Sequence, residues 1–262
     1  MTTTGVMKAP LLEELSWDSG HFGFPVARWN GGPETLSEGL KLSRFKNYQL
    51  VYWSTCPSQP PSETLLDAYR GALVTRKATF VLDPVAQPDA GRTSNPFQIS
   101  PWSKTREPDD RLVRLAIQAG ENSRFRVDRR IPIHAMESLY SKWIAGSASG
   151  LLADVLLVAT IPGSESDPIG LITITIKGEE ASIGLLAVHA EFRGKGAGFR
   201  LLEEAHRWIL SRGCRRVSVV TQKDNLAACR LYEKHGYQLA NLEHVYHFWP
   251  ADGSGAVSDD KS

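Results

Sequence analysis

The stretch Leu185-Leu-Ala-Val-His-Ala-Glu-Phe-Arg-Gly-Lys-Gly-Ala-Gly-Phe-Arg-Leu-Leu202 decides how this chain is read. Its apolar opening, Leu185 to Val188, ends a strand; a glycine-rich turn follows, and a helix runs from Gly198 to Leu210. Gly194, Gly196 and Gly198 let backbone approach a ligand closely. The helix start offers unpaired N–H groups at the positive end of its dipole. Such a turn is a cradle for pyrophosphate, and Arg193 and Lys195 add charge for neighbouring phosphates.

Dinucleotide folds and P-loops use the same device, so the surroundings must choose. There is no G-x-x-x-x-G-K-S/T, and the glycines fall as G-x-G-x-G rather than G-x-G-x-x-G. Before the turn, Val155 to Thr160, Gly170 to Ile176 and Ala181 to Val188 read as strands. The turn Lys177-Gly-Glu-Glu makes the last two a hairpin, where a dinucleotide fold would want a parallel βαβ start. After the turn come the strand Arg216 to Thr221, a helix from Leu226 to His235 and a strand from His244 to Trp249. From Asp154 onward the order is therefore strand, strand, strand, helix, strand, helix, strand.

Upstream, Arg111 to Gly120 and Ile133 to Ile144 carry apolar residues at helical spacing, with Gly120 as a C-cap. The stretch Val85 to Pro108 is rich in Pro, Ser, Gly and Asn and reads as a linker or long loop. Before it, the strands Gln49 to Ser54 and Ala78 to Leu82 flank a helical Ser62 to Gly71, a small α/β lobe. The expected division is thus an N-terminal lobe with its linker over 1–105, a main domain over 106–250 and a disordered tail over 251–262.

Composition narrows the class. The 262 residues are 42% hydrophobic and 23% charged, enough for a sizeable core. Thirty basic residues nearly cancel twenty-nine acidic ones, which argues against nucleic acid or an anionic membrane as partner and for a diffusible small molecule. No apolar run approaches the roughly 20 residues of a membrane span, and the N-terminus lacks the order of a signal peptide, so a cytoplasmic location is expected. Cys56, Cys214 and Cys229 show no ligand spacing and read as reduced thiols, without disulfide or metal.

With these neighbours, Arg193-x-x-Gly196-x-Gly198 resembles the acetyl-CoA signature R/Q-x-x-G-x-G/A of the GNAT acetyltransferase superfamily. Asn225 and Leu231-Tyr232-Glu-Lys-His-Gly236-Tyr237 resemble its N-x-x-A-x-x-L/F-Y-x-x-x-G-F ending. The resemblance implies an α/β (α+β) fold with a mixed, mostly antiparallel central sheet flanked by helices, beside the smaller N-terminal lobe. It also implies roles for single positions. Amides of Leu186, Ala187 and Val188 would hold the acetyl carbonyl and pantetheine arm at a splayed strand. Those of Arg193, Gly194, Lys195, Gly196, Ala197 and Gly198 would hold pyrophosphate. Asn225 would lie beside the pantetheine arm, although capping the next helix justifies it equally. Tyr232 would protonate the departing CoA thiolate, whose pKa of about 8.5 suits a weak acid; the alternative is a tyrosine packed on a helix face.

Trp17-Asp-Ser-Gly-His-Phe-Gly resembles the W-D-S-x-F-F-G motif of bacterial dTDP-fucosamine acetyltransferases and their relatives. Ala119 to Asp128, Leu139 to Ser147 and Tyr246 to Trp249 resemble that group too, so the likeness runs from about Leu12 to Trp249. It implies acetyl transfer from acetyl-CoA to the 4-amine of a dTDP-4-amino-4,6-dideoxyhexose by direct attack, in cell-surface polysaccharide synthesis. Another amine, whether protein lysine, polyamine or antibiotic, remains an alternative, as does a CoA-binding fold without catalysis; a homodimer is also left open. No carboxylate lies between Ala181 and Val188, which leaves water, His247, His189 or Glu191 as the base. Arg124 and His247 are candidates for the acceptor. Trp17, Phe22 and Phe24 suit either a thymine platform or core, and Glu203 with Arg207 reads as a surface ion pair.

Overall fold

The computed structural model describes residues 11–83, 96–164 and 166–250. The expected tail, and the Pro-rich stretch over 84–95, lie outside the described residues. In chain order the elements are β1 (Leu12–Glu14), α1 (Ser16–Phe22), β2 (Val26–Trp29), α2 (Leu36–Phe45), β3 (Leu50–Thr55), α3 (Glu63–Ala68), β4 (Ala72–Leu82) and β5 (Gln98–Pro101). Then follow α4 (Asp110–Ala119), α5 (Arg124–Val127), α6 (Ile133–Ala148), β6 (Val155–Thr160), β7 (Gly170–Lys177), β8 (Glu180–Val188), α7 (Ala197–Ser211), β9 (Arg216–Gln222), α8 (Leu226–Lys234) and β10 (Gln238–Phe248). No described helix is long and apolar enough to cross a membrane.

The chain parts into two compact units, Met1–Thr75 with Glu243–Ser262, and Arg76–Leu242. In the first unit β1 pairs antiparallel with β2, β2 parallel with β3, and β3 antiparallel with residues 244–248 of β10. Leu36, Leu40, Val51, Trp53, Tyr246 and Phe248 pack as its core.

In the second unit β4 pairs antiparallel with β9, β9 parallel with β8, and β8, β7, β6 and β5 follow as antiparallel neighbours. All six residues of β6 are buried, because helices cover both faces of the sheet. Leu157, Ile172 and Ile174 meet Leu201, Leu202, Ala205 and Ile209 of α7 on one face. Leu156, Val158 and Leu171 meet Leu112 and Leu115 of α4 and Met136 and Ile144 of α6 on the other. Asp109 starts α4 by accepting from the Leu112 N–H at 2.9 Å, a cap worth about 1 kcal/mol.

Several expectations are corrected here. Part of the stretch read as linker is strand: β5 pairs with β6 from Gln98↔Thr160 to Pro101↔Leu157. The composition misled because Pro is tolerated on an edge strand, where one N–H side needs no partner. The helix expected to end at Ile144 continues to Ala148, and the last strand begins six residues earlier, at Gln238 rather than His244. Gly120 does cap α4, but in right-handed backbone; a Cβ there would sit 2.4 Å from the Tyr140 ring, so close approach demands the glycine. On α7, Glu203 pairs with Arg200 at 2.5 Å and Arg207 with Glu204, each one turn away, instead of with each other.

Candidate active site

The site begins with a break in the alternation of β8. Ala181 and Ile183 face α7, as a period of two requires, yet Leu186 and Val188 also pack on that face while Leu185 and Ala187 face α4 and α6. One extra residue accounts for the switch: β8 advances from Ile183 to Leu186 while β7 retreats only from Ile174 to Ile172. This is a β-bulge at Gly184-Leu185. The Thr173 hydroxyl accepts the Leu185 N–H at 2.8 Å, satisfying the donor that the bulge removes from the ladder.

The bulge coincides with a parting of strands. Pairing of β8 with β9 runs from Glu180↔Arg216 to Ile183↔Val219 and stops, while β9 continues along β4 to Gln222. Beyond the bulge β8 still pairs with β7, and the His189 N–H donates to the Ile169 carbonyl at 2.8 Å. By alternation Ala187 shares that side, so the Leu186 and Val188 peptide groups point the other way, into the opening left by β9. The Val188 carbonyl accepts from Gln118 Nε2 at 2.7 Å and Arg193 Nε at 3.1 Å.

The glycine turn closes one end of this opening. Gly194 and Gly196 have φ of +73° and +91°, the left-handed region that favours glycine, and a Cβ at either would meet no atom within 4 Å. Gly196 is also the N-cap of α7, so no side chain closes the first turn and its N–H groups face outward. Gly198 differs from the other two. Its backbone is ordinary helix, and an added Cβ would make van der Waals contacts of 3.4 Å with Leu231 and 3.6 Å with Val188. Those same contacts bring the strand end, the glycine turn and α8 together.

On α8, Asn225 caps the helix, its Oδ1 accepting from the Ala228 N–H at 3.2 Å. The Tyr232 ring is buried between Phe80 and Tyr237, at centroid distances of 6.0 and 5.6 Å. Burial raises its phenol above the ordinary value of 10, so the proton stays on oxygen across the physiological range. Among the described residues none hydrogen-bonds that hydroxyl, and it is not among the sealed, unpartnered polar atoms either. The hydroxyl therefore reaches open space from a buried ring.

The remaining sequence candidates are placed less centrally. The Lys195 ammonium sits 5.5 Å from the Phe192 ring centroid, Ala197 is buried, and the half-exposed Arg193 lies 3.8 Å from Glu121 besides holding the Val188 carbonyl. His189 Nδ1 is 3.9 Å from Glu191. The Arg124 guanidinium lies over Phe125. His247, in the first unit, is fully buried opposite Tyr52 with ring centroids 4.8 Å apart, a core position closed to a solvent-exchanging base. Also in that unit, Trp17 is 58% exposed and stacked on His21, whereas Phe22 and Phe24 stack on each other. The sequence reading missed the bulge and Gln118. Gly184 inside a strand pattern was the available signal for the first.

Comparison with known proteins joins these features. Residues 133–237 match the Acetyltransferase (GNAT) family, a span running from α6 through the bulge and glycine turn to the end of α8. That span is similar to GNAT acetyltransferases. The fold agrees: a GCN5-related N-acetyltransferase from Sphaerobacter thermophilus superposes with a TM-score of 0.56 at 16% identity, over 92% of this chain and 77% of that one. A conserved protein of unknown function from Staphylococcus epidermidis gives 0.59 at 14%, over 86% and 84%. Identities this low establish fold alone. In sequence, the chain is 30% identical over 146 residues to the spore coat polysaccharide biosynthesis protein SpsD of Bacillus subtilis, and 32% identical over 133 residues to the dTDP-fucosamine acetyltransferase of Escherichia coli. Those alignments cover 55% and 50% of this chain and span about half of each relative, 49% and 54%.

Proposed function

We propose that this chain is an N-acetyltransferase that moves the acetyl group of acetyl-CoA to the amine of a nucleotide-linked amino sugar of the dTDP-4-amino-4,6-dideoxyhexose type. One observation carries the reading: a bulge-driven parting of β8 from β9 lies beside an uncapped helix start whose two left-handed glycines have open space in front of them. Pyrophosphate fits such a start, and an extended amide-bearing arm fits the opening, where it would take the place of the missing strand.

In this assignment the amides of Leu186 and Val188 orient the thioester carbonyl and stabilise its developing negative charge, which is usually the largest electrostatic contribution to acyl transfer. A neutral amine attacks that carbonyl directly, and its surplus proton leaves through water. Tyr232 donates a hydrogen bond to the departing sulfur. With its phenol held above 10, complete transfer to a thiolate of pKa about 8.5 is uphill, so the hydroxyl acts as a fixed donor and the proton released by the amine reaches the sulfur through water. The names of the two relatives favour a sugar acceptor made for surface polysaccharide.

The test is an acceptor screen. Purified full-length chain and acetyl-CoA are incubated with dTDP- and UDP-linked 4-amino sugars, a lysine peptide and spermidine, following free thiol and product mass. Acetylation of a dTDP-amino sugar well above the other acceptors is expected. Turnover confined to the peptide or polyamine overturns the acceptor assignment.

A further inference from the structure

A cavity of about 220 Å³ lies in the second unit, lined by Arg111, Arg114, Leu115, Gln118 and His189. The first four recur on α4 at i, i+3, i+4 and i+7, one stripe of the helix, and His189 is the first residue after β8. Gln118 also holds the Val188 carbonyl, so the cavity adjoins the mouth of the strand opening. Its volume is below the roughly 300–1,000 Å³ of pockets that enclose a whole ligand, and suits one group of a larger molecule.

The lining is cationic in a specific way. Arg111 is anchored, its Nε donating to the Pro168 carbonyl at 3.0 Å and another nitrogen pairing with Asp167 at 2.5 Å. That leaves its third nitrogen, with two N–H donors, uncommitted and held in place. Arg114 makes no ion pair or hydrogen bond with the described residues. His189 closes one side as wall, since its Nδ1 is sealed from solvent and lies 3.9 Å from Glu191. Leu115 supplies an apolar floor. Two guanidinium forks on one stripe of α4 around a small cavity match a phosphate group, which arginine recognises through paired N–H donors.

We propose that this cavity is a phosphate subsite, separate from the glycine turn, for a terminal or bridging phosphate of a ligand whose reactive end lies at the strand opening. The inference rests on the acetyltransferase reading for the identity of that ligand, and two sources present the same chemistry: the diphosphate of a nucleotide-sugar acceptor and the 3′-phosphate of CoA. Arg114 is the residue to perturb, since it is exposed and tied to nothing that supports the fold.

Calorimetric titration of the full chain and of Arg114→Gln with dTDP, CoA and dephospho-CoA tests it, with the melting temperature of the variant confirming that it is folded. At least about a tenfold loss of affinity is expected for the ligand whose phosphate enters the cavity. A loss for dTDP alone assigns the cavity to the acceptor; a loss for CoA but not dephospho-CoA assigns it to the 3′-phosphate. Equal affinities of both proteins for all three ligands overturn the proposal. A wild-type chain that binds no CoA contradicts the acetyltransferase reading instead, and the dTDP arm still decides the cavity.

Discussion

Replacing Gly196 by alanine adds one methyl group at a residue with φ of +91°. No atom lies within 4 Å of the new Cβ, so steric crowding contributes nothing and the whole cost is left-handed backbone, about 1–2 kcal/mol for a residue with a side chain. Gly198→Ala provides the control. Its Cβ would touch Leu231 and Val188 at ordinary distances, and alanine is favoured over glycine in a helix by up to about 1 kcal/mol. For a chain of this size 1 kcal/mol corresponds to about 2–4 °C. Gly196→Ala should therefore melt about 2–8 °C lower than wild type, and Gly198→Ala at the same temperature or slightly higher. Gly196 is also the N-cap of α7, so backbone that alanine resists there sets the direction of the helix's first N–H groups. Loss of a single charge-assisted hydrogen bond to phosphate is worth about 1.5–3 kcal/mol, so CoA affinity should fall about ten- to hundredfold. Thermal melts and calorimetric titration of both variants read these quantities. A Gly196→Ala chain with wild-type melting temperature and wild-type CoA affinity would refute the role of the turn.

Tyr232→Phe removes a hydroxyl with no hydrogen-bond partner among the described residues, so melting temperature and CoA affinity should hold while kcat falls about 10²- to 10³-fold with KM little changed; wild-type turnover across pH would return the residue to packing. Thr173→Val keeps the side-chain shape but orphans the Leu185 N–H at the bulge, which should cost about 1–3 kcal/mol in denaturant unfolding and weaken CoA binding with it. His206, bonded to the Tyr237 hydroxyl at 2.8 Å, has its pKa pushed down to about 4 by burial and then by His235. The unfolded chain therefore takes up that proton first as pH falls. The stabilisation is present above about 6.5 and is lost toward 4, and His206→Gln should flatten the melting profile in that window. A profile unchanged by the substitution would exclude His206 as the titrating group.

The glycine turn, the three strands before it and the helix after it were legible because each is local: a glycine run between an apolar strand and an amphipathic helix has few other structures. The bulge was harder to read. Ile183-Gly-Leu-Leu-Ala-Val keeps apolar residues on both parities, since both faces of β8 are covered by helices, and only Gly184 hints that the register slips. Long-range pairing was invisible for the same reason it matters: β5 was hidden in a Pro-rich composition, and residues 243–250 belong with a unit whose other part precedes them by more than 160 residues. Whether the face of β10 that carries His247 meets solvent or the Tyr52 ring depends on what packs there, which no local pattern contains. The apolar spacing that defines α4 singles out none of Arg111, Arg114 and Gln118, whose shared stripe shows only once the helix is packed.

The most direct test of the account is a crystal structure of the full chain with CoA. The pantetheine arm should lie extended between β8 and β9, hydrogen-bonded to the backbone of Leu186 and Val188. The pyrophosphate should lie on the amides from Arg193 to Gly198, and the sulfur within hydrogen-bonding distance of the Tyr232 hydroxyl. CoA bound elsewhere, or in the opening with its sulfur remote from Tyr232, would contradict it.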